Sequence, residues 1–145
     1  MADTLPIRIQ LRIVTPDREL FEGEVSDVSI PGKEGYLGIL PGHAPLLTEL
    51  QSGKLTYRQD EMELHVAIHW GFAEVLPDRV IILADTAERA EEIDVERAEL
   101  ARRRAEEFLK RPSESEAEMQ EAREALRRAV CRLETARHAG VRSLR

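Results

Sequence analysis

The sequence predicts an α+β chain: an N-terminal antiparallel β-sandwich over residues 1–88, followed by a C-terminal two-helix antiparallel hairpin over residues 89–145. Three observations carry this reading. Through the first part of the chain apolar and polar side chains alternate singly, the period of strands with one buried face. Turn-forming residues interrupt the alternation at short intervals, as sandwiches and barrels require. After Ala87 the apolar period lengthens to about three and a half residues, which replaces sheet by helix, with a boundary at residues 88–93.

The first predicted strand covers residues 7–14, where Ile7, Ile9, Leu11 and Ile13 alternate with Arg8, Gln10 and Arg12. Residues 25–30 alternate in the same way. Further strands fit residues 53–59, 63–68, 71–76 and 79–84, with Asp60-Glu61 and Pro77-Asp78 as turns between neighbours. The run Val80-Ile81-Ile82-Leu83-Ala84 is apolar throughout, which predicts a strand covered on both faces. In the first helix Val95, Ala98, Ala101, Ala105, Phe108 and Leu109 form an apolar stripe; Asp94 is its predicted N-cap and Pro112 its stop. The second begins at Ser113 or Ser115, each followed three residues later by glutamate. Met119, Ala122, Leu126, Ala129, Leu133 and Ala136 then repeat at steps of three and four, a seam facing another helix.

A short connection between the helices favours an antiparallel hairpin. Its stripes are rich in alanine, and at roughly 0.8 kcal/mol per buried methylene an alanine contributes far less than a leucine. Weak docking follows, so the hairpin is predicted to be able to open and re-pack on a partner.

Composition narrows the function. With 34% charged and 4% aromatic residues the chain supports one modest core. A lone cysteine, Cys131, excludes an internal disulfide, and in its arginine-rich helix it reads as a small packing residue. No stretch reaches the eighteen or so apolar residues of a membrane span, and the N-terminus has neither a secretory nor an Arg-rich transit pattern. The net charge of −7 is unevenly placed: residues 1–92 hold 8 basic and 17 acidic side chains, residues 93–145 hold 13 and 11, and from Arg127 onward six arginines accompany only Glu134. Such a tip suits either the negative end of a helix dipole or an acidic partner surface. No catalytic constellation emerges. His65 and His69 share a strand face without a third ligand, so no metal is expected, and no phosphate-binding Gly-Lys loop is present.

The stretch from Gly35 to Thr48, Gly-Tyr-Leu-Gly-Ile-Leu-Pro-Gly-His-Ala-Pro-Leu-Leu-Thr, is the most distinctive. Gly35, Gly38 and Gly42 permit backbone angles other residues resist, while Pro41 and Pro45 withhold amide donors, so tightly folded loop and strand edge are expected. With Gly71-Phe72-Ala73-Glu74-Val75 and the segment from Val80 to Glu88, this stretch closely resembles the epsilon subunits of bacterial F-type ATP synthases. The resemblance spans essentially the whole chain. It departs at His69-Trp70-Gly71, where Ser-Gly-Gly is usual, and at Gln51-Ser52-Gly53, where a Pro-Gly turn is common.

The resemblance implies a non-catalytic rotor subunit at the cytoplasmic face of the bacterial plasma membrane, reaching the membrane only through its complex. Its implied partners are the gamma subunit, the membrane ring of c subunits and the alpha/beta catalytic head; no nucleic acid or required cofactor is implied. The hairpin would restrain ATP hydrolysis when extended. Ile93-Asp94-Val95-Glu96-Arg97-Ala98 is similar to the motif of epsilon subunits that bind regulatory ATP, and Glu88, Ile93, Asp94, Arg97, Ala98, Arg104, Arg128 and Arg132 are the implied pocket. A helix start offers free amides, Asp94 an acceptor and the arginines phosphate partners. Arg127, Arg128, Arg132 and Arg137 are the implied inhibitory contacts with the beta subunit, and Pro41, Gly42 and His43 the ring-facing loop. Two other readings are a free-standing ATP-sensing module and an unrelated sandwich and coiled-coil adaptor.

Overall fold

Among the described residues eight strands roll into one continuous sheet: β1 (Ile9–Val14), β2 (Glu19–Val25), β3 (Asp27–Gly32), β4 (Gly35–Ile39), β5 (Leu46–Leu50), β6 (Gly53–Gln59), β7 (Met62–Leu76) and β8 (Arg79–Arg89). A 3-10 turn (Ala90–Glu92) leads to α1 (Val95–Lys110) and α2 (Glu116–Ala136). This computed structural model describes residues 6–111 and 115–139. The strand order is β2-β1-β8-β7-β5-β3-β4, with β6 paired to both β3 and β7. The β1–β8 pairing is parallel; the other ladders are antiparallel. Ile9, Leu11, Ile13, Leu20, Val28, Ile30, Leu55, Ile68 and Ile82 are among the side chains sealed in the core between the sheet's two layers.

Several elements differ from the sequence reading. The alternating run at residues 25–30 is split at Ser26, whose backbone N–H donates to the Arg58 carbonyl, so Val25 ends β2 and Asp27 begins β3. Alternation does not mark β2, because Gly23 stands between Phe21 and Val25 on its apolar side. The two strands expected at residues 63–68 and 71–76 are one strand, β7, that bends without leaving the sheet and exchanges β6 for β5 as its partner. In the glycine-rich stretch Gly35 and Gly42 take positive φ, but Gly38 does not, and a Cβ there meets nothing within 4 Å. Strands β4 and β5 flank the short loop between them.

The bend in β7 reverses its facing. Val66 and Ile68 point into the core before it and Ala73 and Val75 after it. Trp70 and Gly71 make the reversal with φ values of 60° and 144°. β8 reverses in step, from Val80, Ile82 and Ala84 inward to Ala87 inward, with Asp85 and Thr86 both exposed. Leu83 therefore faces outward and is 55% exposed, so the apolar run 80–84 is covered on one face only and not on both.

At the hairpin, the Asp94 side chain accepts from the Arg97 amide at 3.1 Å and caps α1. Ser115 caps α2 by accepting from the Glu118 amide at 3.2 Å, which settles the choice of start; Pro112 and Ser113 lie outside the described residues. All six predicted seam residues of α2 are at least partly buried, Ala129 completely. On α1, Ala98 and Ala105 are buried, but Val95 and Phe108 are 49% and 38% exposed, at the edges of the stripe rather than within it.

Candidate functional site

The C-terminal end of β8 places Glu88 beside the start of α1, and α2 lies across the outward face of β6 and β7. Between these elements is a cavity of about 480 Å³ lined by Glu88, Glu92, Asp94, Arg97, Ala98, Leu100, Ala101, Arg104 and Arg132. Six of the eight implied pocket residues thus meet there. Ile93 does not line it; its side chain is buried with Ala67 and Cys131 beneath α2. Arg128 also lies off the lining, with its charge acting on His69. Glu92, Leu100 and Ala101 complete the wall; spacing marks Ala101 only as part of the apolar stripe of α1, and nothing in the sequence marks Glu92 or Leu100.

The cavity's charges are largely engaged. Arg132 Nε donates to Glu88 Oε1 at 2.6 Å, a half-buried pair that ties α2 to β8. Glu92 accepts both ends of the Arg18 guanidinium at 2.8 and 3.0 Å, and Arg18 also donates to the Ala87 carbonyl. That fork holds the Glu92 carboxyl below the usual carboxylate range. Arg89 reaches back to the Leu20 carbonyl, so the exit from β8 is fixed to the sandwich from two sides. One oxygen of Asp94 serves the cap, and Arg97 and Arg104 stand exposed on the rim. An anionic ligand would find two exposed guanidinia and a helix start here.

The hairpin's attachment is light. On α2 the buried residues are Ala129, Cys131 and Thr135. Cys131 Sγ lies 4.0 Å from the Ile68 carbonyl, and burial pushes its thiol up to about 11, so it is no nucleophile near neutrality. Arg127 and Arg137 are exposed, while Arg128 and Arg132 are partly covered in this docked arrangement. Pro41, Gly42 and His43 form a loop at the opposite end of β7: the Gly42 amide donates to the Pro77 carbonyl at 2.7 Å, joining the loop to the β7–β8 turn.

Phe72 and Leu83 stand opposite each other across β7 and β8, 53% and 55% exposed, and Leu47 on β5 is 72% exposed. Phe72 and Leu83 form an apolar strip with Val14, Pro16 and Trp70 around a shallow cavity of about 580 Å³, whose lining also holds Glu49 and Asp85 but not Leu47. It is invisible without the facing reversal at Gly71. Among the described residues no group of three or more His, Cys, Asp or Glu could hold a metal, and no helix is long and apolar enough to cross a membrane.

A rolled sheet with an open apolar strip, joined to a helical hairpin, is the architecture of a subunit that other chains cover. The family models of the ATP synthase delta/epsilon chain match it in order, the beta-sandwich domain over residues 8–90 and the long alpha-helix domain over residues 91–137. The chain belongs to this family. It is 54% identical to the ATP synthase epsilon chain of Moorella thermoacetica, covering 88% of this chain and 96% of that one. Over 75% of this chain and 74% of the relative it is 54% identical to the epsilon chain of Koribacter versatilis. A chain in the cryo-EM structure of the Euglena gracilis mitochondrial ATP synthase, comprising OSCP, F1 and c-ring, shares the fold with a TM-score of 0.81 at 28% identity, covering 95% of this chain and 87% of that one. Membership makes this a non-catalytic subunit of the rotary synthase, peripheral to the membrane.

Proposed function

We propose that the sandwich fastens to the rotor and transmits torque between membrane ring and catalytic head, while the hairpin acts as a brake on ATP hydrolysis when it leaves the sandwich. The observation that carries this is the light docking of α2, whose buried face is Ala129, Cys131 and Thr135. Small side chains release little free energy on burial, so a second arrangement lies within a few kcal/mol. In the released form Arg127, Arg128, Arg132 and Arg137 meet an acidic segment of the beta subunit. The apolar strip about Phe72 and Leu83 takes the gamma subunit, and Pro41, Gly42 and His43 face the c-ring. The complex sits on the cytoplasmic face of a bacterial plasma membrane.

The test is hydrolysis by the reconstituted complex. Changing Arg127, Arg128, Arg132 and Arg137 together to alanine is expected to raise inhibited activity several-fold, because attraction between partly desolvated charges is lost. Raised salt should act in the same direction on the parent complex, since screening shortens the reach of these charges. Unchanged inhibition in the fourfold variant would end the electrostatic account of the brake.

ATP in the cavity between β8, α1 and α2 is proposed as the clamp that holds the hairpin docked, since a ligand touching both Arg97 and Arg132 binds only that arrangement. Phosphates would meet Arg97 and Arg104, and Asp94 would accept from the base or ribose with the oxygen not used in capping. Calorimetric titration of the isolated chain is expected to show binding that weakens tenfold or more, about 1.4 kcal/mol, in both Asp94→Ala and Arg104→Ala. Arg104→Ala is the cleaner of the two, because it leaves the helix cap intact. No binding by the parent would leave a coupling subunit whose brake answers to other signals.

A further inference from the structure

Two histidines stand in the interface that must open if the hairpin is to leave the sandwich, and this inference rests on that release. His65 and His69 are 4% and 2% exposed on the outward face of β7, on either side of Ala67, which packs against Cys131 of α2. The Nδ1 atoms lie 3.0 Å from Thr56 Oγ1 and 3.3 Å from Ser52 Oγ respectively. Both Nε2 atoms are buried and, among the described residues, without a hydrogen-bond partner, that of His65 lying 3.4 Å from Glu63 Oε1. Around His65 stand Lys54 of β6, Glu63 of its own strand with Oε1 3.4 Å away, Glu91 of the 3-10 turn, and His138 beyond α2 with ring centroids 4.4 Å apart. Around His69 stand Arg128 and Arg132 of α2. Lys54 Nζ is 3.0 Å from His138 Nε2.

We propose that this interface is a proton-operated release: uptake of protons by His65 and His69 drives α2 off the sheet, and neutral pH keeps it docked. The cost of a charge is set by burial and by the neighbours of each ring: His69 faces Arg128 and Arg132 of α2, whereas His65 has Lys54 on one side and the Glu63 carboxylate 3.4 Å from its Nε2 on the other. Burial pushes both imidazoles from the ordinary 6.5 down to about 4, reinforced by His138 and Lys54 at His65 and by Arg132 and Arg128 at His69, while Glu63 and Glu91 oppose it only partly. A group whose pKa is lowered in the docked form takes up its proton once released. Docking is therefore full above the released value, weakens as pH falls through it, and goes on weakening until the docked value is reached. At pH 5.5 each histidine shifts the equilibrium toward release by about tenfold relative to pH 7.5, and the two together by about a hundredfold. Acid would thus extend the same element that brakes hydrolysis.

Cys131, the lone cysteine and 4% exposed beneath the docked helix, reports release directly. Its reaction with 4,4′-dithiodipyridine on the full chain, divided by the rate for the urea-unfolded chain at the same pH, cancels the thiol's own ionisation. This ratio is expected to rise about a hundredfold from pH 7.5 to 5.5 in the parent and about tenfold in either His65→Gln or His69→Gln. In the double variant it should change no more than a few-fold, with the near-UV signal of Trp70 showing the sandwich still folded. A flat ratio in the parent, or a rise that survives the double substitution, overturns the release. Reaction that is faster than global unfolding but indifferent to pH removes the proton control alone; reaction limited to global unfolding at every pH removes hairpin opening as well. Should the variants fail to fold, NMR titration of the parent's imidazoles decides, with titration of His65 and His69 near 6.5 counting against the proposal and titration far below it counting in favour.

Discussion

Gly71→Ala is expected to lower the melting temperature of the isolated chain by roughly 20 °C or more, or to prevent folding altogether. A Cβ at this position would stand 2.0 Å from the Leu83 carbonyl oxygen and 2.8 Å from Ala84 Cα, backbone atoms of the paired strand that cannot swing aside. Its φ of 144° lies where side chains are strained, at about 1–3 kcal/mol, and the overlap adds to that. A total above about 4 kcal/mol is exceptional for one substitution and a large part of a typical domain's stability. For a domain the size of the sandwich, residues 8–90, each kcal/mol shifts the midpoint by about 4–8 °C. Gly38→Ala is the matched control, since that position has ordinary φ and open space, and its midpoint should stay within a few degrees of the parent. Equal melting curves for the two variants, followed by circular dichroism, would show that Gly71 does not hold the bend of β7.

The same position explains what the sequence did and did not disclose. Alternation in Ile9, Leu11 and Ile13 identifies a strand and its buried face, because nothing interrupts the period of two. The helical seam from Met119 to Ala136 is equally readable, and Asp94 and Ser115 announce the helix starts through the cap chemistry they go on to perform. Alternation cannot register a change of phase. Residues 80–84 look buried on both sides because Leu83 is apolar, and only the reversal at Trp70-Gly71, matched at Asp85-Thr86, shows that it turns outward. Nor does spacing report distance between elements: Glu88 and Arg132 are 44 residues apart yet joined at 2.6 Å, whereas Ile93, beside Asp94, turns away into the apolar contact under α2. The motif-based pocket was therefore legible where one helix start carries it, and less so where α2 must be placed against the sheet.

Changing Phe72 and Leu83 together to glutamate is expected to leave the sandwich folded and to weaken its capture by the rotor shaft by about a hundredfold or more. Both side chains point outward from paired positions on β7 and β8, so their removal opens no core cavity. The cost to folding is that of like charges placed opposite each other, about 0.2–1 kcal/mol. Scattered exposed leucines are ordinary, but Trp70, Phe72 and Leu83 with Val14 and Pro16 line one shallow cavity, and contiguous apolar surface on a folded chain marks a place that another chain covers. Two central apolar anchors at an interface are each worth about 2 kcal/mol or more, and burying two carboxylates against a partner adds a desolvation penalty that no cation among the strip's lining residues relieves. The measurement is co-purification and surface-bound affinity with the gamma subunit, alongside a thermal melt of the free chain. Parent-like affinity with an unchanged melt would place the rotor contact elsewhere. An intact melt with capture lost would tie the outward turn at Gly71 to attachment, since that turn is what brings Phe72 and Leu83 to the surface.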